Sequence, residues 1–174
     1  MRKPVLFCLI TIFASCGLKN EEKATTQTYF SVSDYFKTEA ARLSKINPTI
    51  VKTVFVNGKT EEKKLRIENW EQELSSFIDA DINKASWKGS FQLTKTDTSE
   101  TYLSQSEKIP VKRVVISLKD KKVEAIKIFL ENKNVLYSSR DSLVYLPNSY
   151  FEINKTQKIK LMDTKRYIIK GKFN

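Results

Sequence analysis

The stretch Val111–Leu146, VKRVVISLKDKKVEAIKIFLENKNVLYSSRDSLVYL, decides the fold. Val111–Lys119 and Val123–Glu131 are runs rich in Val, Ile and Leu, parted by a short polar turn, and Val135–Leu146 follows after a second one. β-Branched and aromatic runs of this length, punctuated by polar turns, predict antiparallel strands joined by hairpins. The same pattern extends outward, to Phe91–Lys95 and Tyr102–Ser106 before it and to Tyr150–Ile153, Gln157–Asp163 and Arg166–Phe173 after it. From Ser90 onward the chain therefore reads as an antiparallel meander.

The first half changes period. In SVSDYFKTEAARLSKINP (31–48), Val32, Tyr35, Phe36, Ala40, Leu43 and Ile46 recur at helical spacing; Ser31 and Asp34 have capping-box spacing, and Pro48 stops the helix. TIVKTVFVNGKTEEKKLRI (49–67) reads as a hairpin, because Asn57-Gly58 supplies two residues tolerant of positive φ. Its second arm, Thr60–Lys64, is polar on both faces and predicts an edge. ENWEQELSSFIDADINKASW (68–87) predicts a second helix with Asn69 as N-cap, its stripe carried by Trp70, Leu74, Phe77, Ile78 and Ile82. The expected fold class is α+β: two amphipathic helices packed on one face of an antiparallel, curved meander sheet.

Composition excludes much chemistry. The 174 residues contain no histidine and two cysteines, Cys8 and Cys16. Without histidine there is no Ser–His or Cys–His nucleophile pair and no His-containing zinc site. DADINK (79–84) begins like a calcium loop, but Lys84 stands where the turn glycine belongs and Ser90 where the bidentate glutamate belongs. The expectation is a protein with no metal and no cofactor. Carboxylate chemistry remains formally open through Glu124, Glu131, Asp141 and Glu152, which nothing in the sequence pairs.

Residues 1–15, MRKPVLFCLITIFAS, place Arg2 and Lys3 before a ten-residue apolar run, Val5–Ala14, too short to span a bilayer and suited to a signal-peptide core. The segment FASC, Phe13–Cys16, resembles the lipobox of bacterial lipoproteins, with Phe13 where that family usually has an aliphatic residue. The resemblance implies cleavage before Cys16, a diacylglyceryl (and palmitate-type acyl) anchor on that cysteine, and a cell-envelope location. Gly17 in place of an aspartate implies the outer membrane, at its periplasmic face or the cell surface. The expected organisation is a leader at 1–15, a lipidated cysteine and flexible tether at 16–30, and one globular domain at 31–174.

Charge is segregated along the chain. Residues 16–107 carry 13 Lys and Arg against 14 Asp and Glu, a net of −1, whereas residues 108–174 carry 16 against 6, a net of +10. In the final hairpin Ile159, Leu161, Tyr167, Ile169 and Phe173 are expected on one face and Lys158, Lys160, Arg166, Lys170 and Lys172 on the other. A turn centred on Thr164 would set Lys158 against Lys170, a repulsive pair that an anion would relieve. These five cations are the candidate anion-binding residues. The expectation is a lipid-anchored, non-enzymatic envelope protein. Its partners are the membrane through Cys16 and an anionic glycolipid, phospholipid or acidic protein through the basic face, with no specific nucleic acid. The alternatives are a carrier of an acyl chain between helices and sheet, and a carboxylate-dependent hydrolase.

Overall fold

The computed structural model describes residues 29–174. The leader, Cys8, Cys16 and all but the last two residues of the expected tether lie outside the described residues. Those two, Tyr29 and Phe30, belong to the packed domain: Tyr29 is buried, with its ring edge-on to Phe91 at 5.5 Å and to Tyr102 at 5.8 Å.

Helix α1 (Val32–Ile46) forms as the sequence dictates. Ser31 caps it by accepting the Asp34 N–H at 3.2 Å, and its own hydroxyl donates to the Asp34 carboxylate at 2.7 Å. Asn47 closes it in the left-handed region, φ 44°, ahead of Pro48. Strands β1 (Thr49–Val56) and β2 (Lys59–Arg66) form the hairpin around Asn57 and Gly58, at φ 48° and 94°.

The second predicted helix does not exist as one element. Residues 68–87 instead make two four-residue turns, α2 (Trp70–Glu73) and α3 (Ser75–Ile78), and a 3₁₀ turn at Ala85–Trp87. The break falls at Leu74, φ −93° and ψ 8°. Past it i→i+3 bonds, Phe77 N–H to Leu74 O at 2.9 Å and Ala80 N–H to Phe77 O at 3.2 Å, mix with i→i+4 bonds, Ile78 N–H to Leu74 O at 3.1 Å and Asp79 N–H to Ser75 O at 2.8 Å. Serine, aspartate and asparagine compete for backbone groups and weaken helices. Asp81 accepts the Ser33 N–H at 3.3 Å, and Asn83 accepts the Tyr29 N–H at 3.1 Å while donating to Phe30 O at 3.1 Å. The stretch that began like a calcium loop thus pins the entry into the domain. Trp70, Leu74, Phe77 and Ile82 are buried all the same, because successive turns present the same stripe that one helix would. Among the described residues the fold is a nine-stranded antiparallel sheet with a single long helix, α1, and the α+β expectation of two helices on a sheet is corrected accordingly.

The remaining strands are β3 (Phe91–Lys95), β4 (Ser99–Ser104), β5 (Val111–Lys119), β6 (Lys122–Lys133), β7 (Tyr137–Leu146), β8 (Tyr150–Ile159) and β9 (Lys165–Phe173). The order across the sheet is β2-β1-β9-β8-β7-β6-β5-β4-β3. β3 to β9 form the meander, and β1 docks against β9, bringing Ile50 opposite Phe173. The polar β2 is an edge strand, as its composition predicts.

Helix and turns cover one face. Phe36, Phe77 and Tyr145 interlock there, with ring centroids 4.6 to 6.2 Å apart, and Trp70 stacks on Phe173 at 5.8 Å. Gly171 is required by close approach: a Cβ there would lie 2.1 Å from the Phe151 ring, which crosses β9 at that point. Tyr145 donates a short hydrogen bond to Glu39, buried on α1, and Arg42 donates to the same carboxylate at 2.6 and 2.7 Å and to Asn148 at 2.9 Å. The helix is thereby clamped to β7 through one fully hydrogen-bonded carboxylate.

Candidate anion-binding face

Residues directly opposite in a ladder share a face, so the register fixes which side chains sit away from the helix. On that open face Phe55 lies opposite Ile168, Lys127 opposite Val144, and Phe129 opposite Ser142. Its paired strand positions carry twelve cations: Lys64 and Arg66 of β2, Arg166, Lys170 and Lys172 of β9, Lys158 of β8, Arg140 of β7, Lys122, Lys127 and Lys133 of β6, and Arg113 and Lys119 of β5. Three acids accompany them at paired positions, Glu62, Glu131 and Glu152, and Glu124 lies unpaired at the β5–β6 bulge. Phe55, Val115, Phe129, Val144 and Ile168 form a half-buried apolar floor between the cations.

Of the five cations the sequence singles out, Lys158, Arg166, Lys170 and Lys172 stand on this face, and Lys160 follows in the turn after β8. The predicted register is displaced. β8 runs unbroken through Asn154-Lys155-Thr156, which the sequence suggests as a turn, because an interior strand with one open face accepts polar Asn154 and Thr156 there. The turn lies at 160–164, with Leu161 at φ 67°. Lys158 consequently faces Ser138, and Lys170 faces Glu152, 4.0 Å from its carboxylate and 4.7 Å over the Tyr150 ring. No like-charged Lys158–Lys170 pair exists. Lys158, Lys160, Arg166 and Lys172 are exposed and have no ion-pair partner among the described residues.

A groove of about 700 Å³ runs between the start of β5 and the ends of β4 and β6, lined by Leu103, Ser104, Gln105, Ser106, Glu107, Lys112, Glu131 and Lys133. It adjoins a second hollow of about 330 Å³ on the open face, which shares Lys112 and Glu131 and adds Phe129, Arg140, Ser142, Asn154 and Thr156. The Arg113 guanidinium lies 4.3 Å over the Phe129 ring, and Arg140 reaches Glu131 at 3.5 Å. Hydroxyl, amide and cationic groups around an aromatic floor can hydrogen-bond an anionic, hydroxylated head group.

The carboxylates singled out by sequence diverge. Glu131 and Glu152 take the open face. Asp141 points to the covered face opposite Lys155, lining with Ser76 and Asp79 a pocket of about 170 Å³. Its Oδ1 is buried without a hydrogen bond, and burial pushes its carboxyl above the usual value against the pull of Lys155 and Ser139. Glu39, which the sequence leaves unmarked, behaves oppositely: burial would raise it, but the Arg42 and Tyr145 hydrogen bonds outweigh burial and hold it below the ordinary carboxylate range. Burial and the neighbouring Glu39 carboxylate push the Tyr35 hydroxyl up to about 12. A glutamate at a helix position otherwise facing the core was the available signal. Compared with known proteins, the chain matches no family model, no curated protein sequence and no solved structure.

Proposed function

We propose that the chain is a non-enzymatic protein of the bacterial cell envelope, held at the outer membrane by an acylated Cys16, whose open sheet face binds a phosphate-bearing anionic partner. The observation that carries this reading is the imbalance of twelve cations to three acids at the paired positions of that face. The anchor rests on the lipobox-like Phe13–Cys16 segment. The interlocked aromatic rings between α1, the short turns and the sheet favour this reading over an acyl carrier, which needs room there.

Two measurements test it. Cys16→Ala is expected to abolish fatty-acid labelling and membrane retention; unchanged labelling refutes the anchor. The affinity of the chain for inorganic polyphosphate, a soluble probe, is expected to fall steeply with salt, because exposed charges are screened within ~8 Å at physiological ionic strength. Lys158→Glu with Lys172→Glu is expected to weaken it by about tenfold or more, since each lysine near an anionic surface is worth about 1 kcal/mol. Lys37→Glu with Lys45→Glu, on the exposed side of α1, is the matched control. Equal effects from both pairs, or indifference to salt, refute the binding face.

A further inference from the structure

The two ends of the sheet differ in kind. At one end the turns are Thr96-Asp97-Thr98, Asp120-Lys121 and Pro147-Asn148-Ser149, all polar or small. At the other end lie the polar β4–β5 loop at 105–110 and the turns at Asn57-Gly58, 134–136 and 160–164, and at these last three turns five of the seven exposed large hydrophobic side chains among the described residues collect. Leu161 is 99% exposed, Val135 86%, Leu136 64% and Met162 53%, and Val56 stands beside them. None of these side chains is needed to close a turn, and water penalises each of them.

The three tips are tied into one rigid end. Lys160 N–H donates to Leu136 O at 2.8 Å, joining the β6–β7 turn to the β8–β9 turn. Asn57 N–H donates to Arg166 O at 3.1 Å, and Arg166 N–H returns to Asn57 Oδ1 at 2.9 Å, joining the β1–β2 turn to the same assembly. Asn134 Oδ1 accepts the Leu136 and Tyr137 N–H groups at 2.9 and 2.8 Å, holding Val135 and Leu136 outward. Around the apolar tips stand Lys133, Lys158, Lys160 and Arg166, all exposed, with Asp163 as the local counter-charge.

We propose that this end of the sheet inserts into the surface of an anionic lipid bilayer, the apolar tips entering the acyl boundary and the surrounding cations meeting the head groups. Apolar points inside a cationic collar match the layering of such a membrane, hydrocarbon beneath anionic head groups, and lysine stems extend across that boundary with the ammonium in water. Separate tips projecting from three hairpins offer no continuous groove for a peptide. The inference shares Lys133, Lys158 and Arg166 with the proposed binding face, but it rests on the tips and needs neither the anchor nor the face to be right.

The test uses the full chain with Cys8→Ser and Cys16→Ser, carrying one new cysteine, Val135→Cys at the apolar end or Asp120→Cys at the polar end, each labelled with an environment-sensitive fluorophore. The probe is vesicles of phosphatidylglycerol and phosphatidylcholine. The Val135→Cys label is expected to shift to the blue and to be quenched by brominated acyl chains, and the Asp120→Cys label to do neither, even where the apolar leader brings both to the vesicle. Leu136→Asp with Leu161→Asp is expected to lower the quenched fraction at fixed lipid by about tenfold or more, because each leucine loses its apolar transfer. Its circular dichroism should stay native, since both side chains are exposed. Equal quenching at both positions, or none at either, overturns the inference. So does insertion that survives the aspartates, or a blue shift that appears without vesicles and grows with protein concentration, which would make the tips a self-association surface. Insertion without polyphosphate binding refutes the proposed face alone, and polyphosphate binding without insertion refutes the tips alone.

Discussion

Gly171→Ala offers a test of the core that one methyl group decides. The added Cβ would sit 2.1 and 2.3 Å from two carbons of the Phe151 ring, where ordinary carbon contacts are ~3.5–4.0 Å. The ring would have to retreat by about 1.5 Å to restore such contact. It has little freedom to do so, being fully buried and packed edge-on to Trp70 at 6.2 Å and to Phe173 at 6.4 Å. Overpacking a filled core costs ~1–3 kcal/mol. The usual Gly→Ala gain from a less flexible unfolded chain, ~0.4–1 kcal/mol, acts in the opposite direction. A net loss of about 1–2 kcal/mol is therefore expected in equilibrium urea unfolding of residues 29–174, followed by tryptophan fluorescence. Phe151→Leu should remove the obstacle, so the double variant is expected to be more stable than the two single losses predict, with a coupling of ~1–3 kcal/mol. A neutral or stabilising Gly171→Ala, or strictly additive losses, would refute the crossing of the ring over β9.

Leu74, fully buried at the junction of the two short turns, should cost ~2–5 kcal/mol on truncation to alanine, and a change below ~0.5 kcal/mol in the same assay would place it in solvent. The Glu39 carboxyl is held below its unfolded value of ~4.3, so its contribution is fully present above that pH and is lost as pH falls through the lower folded value. Glu39→Gln should therefore destabilise most at neutral pH and begin to converge with the parent once the pH falls below the unfolded value of ~4.3, and unfolding midpoints that stay parallel from pH 7 down through acid would contradict the clamp.

Strand existence was legible where apolar alternation is local: Phe91–Lys95 and Val111–Lys119 have the bounds their composition predicts. The face taken by Lys158, Arg166, Lys170 and Lys172 was legible for the same reason, since alternation needs only neighbouring residues. Their register was not, because β8 is held on both sides by β7 and β9 and so tolerates the polar Asn154–Thr156 that would end an isolated strand. Leu161 reads as a core residue by alternation and is instead the most exposed hydrophobic among the described residues, since the turn begins before it. Val135 and Leu136 likewise read as the start of β7 and stand outside it. Residues 68–87 show that a helical stripe demands burial every three or four residues but not a continuous helix. The Glu39–Arg42–Tyr145 cluster joins residues 106 apart in sequence, a distance no local pattern spans.

The docking of β1 against β9 has a consequence for the order of events during synthesis. Ile50 meets Phe173, and the last strand lies between β8 and β1 in the interior of the sheet rather than at its edge. A chain emerging from its N-terminus can assemble β3 to β8 as successive hairpins, but the β1–β2 hairpin has no strand to dock on until β9 arrives. Non-local closure of this kind slows folding, toward the millisecond-to-second range of sheet proteins. During that interval the edges of β1 and β8 are both unpaired, and unpaired edges recruit other strands. Deleting residues 165–174 would therefore not trim a tail: it would split the sheet into a two-stranded and a six-stranded piece with two adhesive margins.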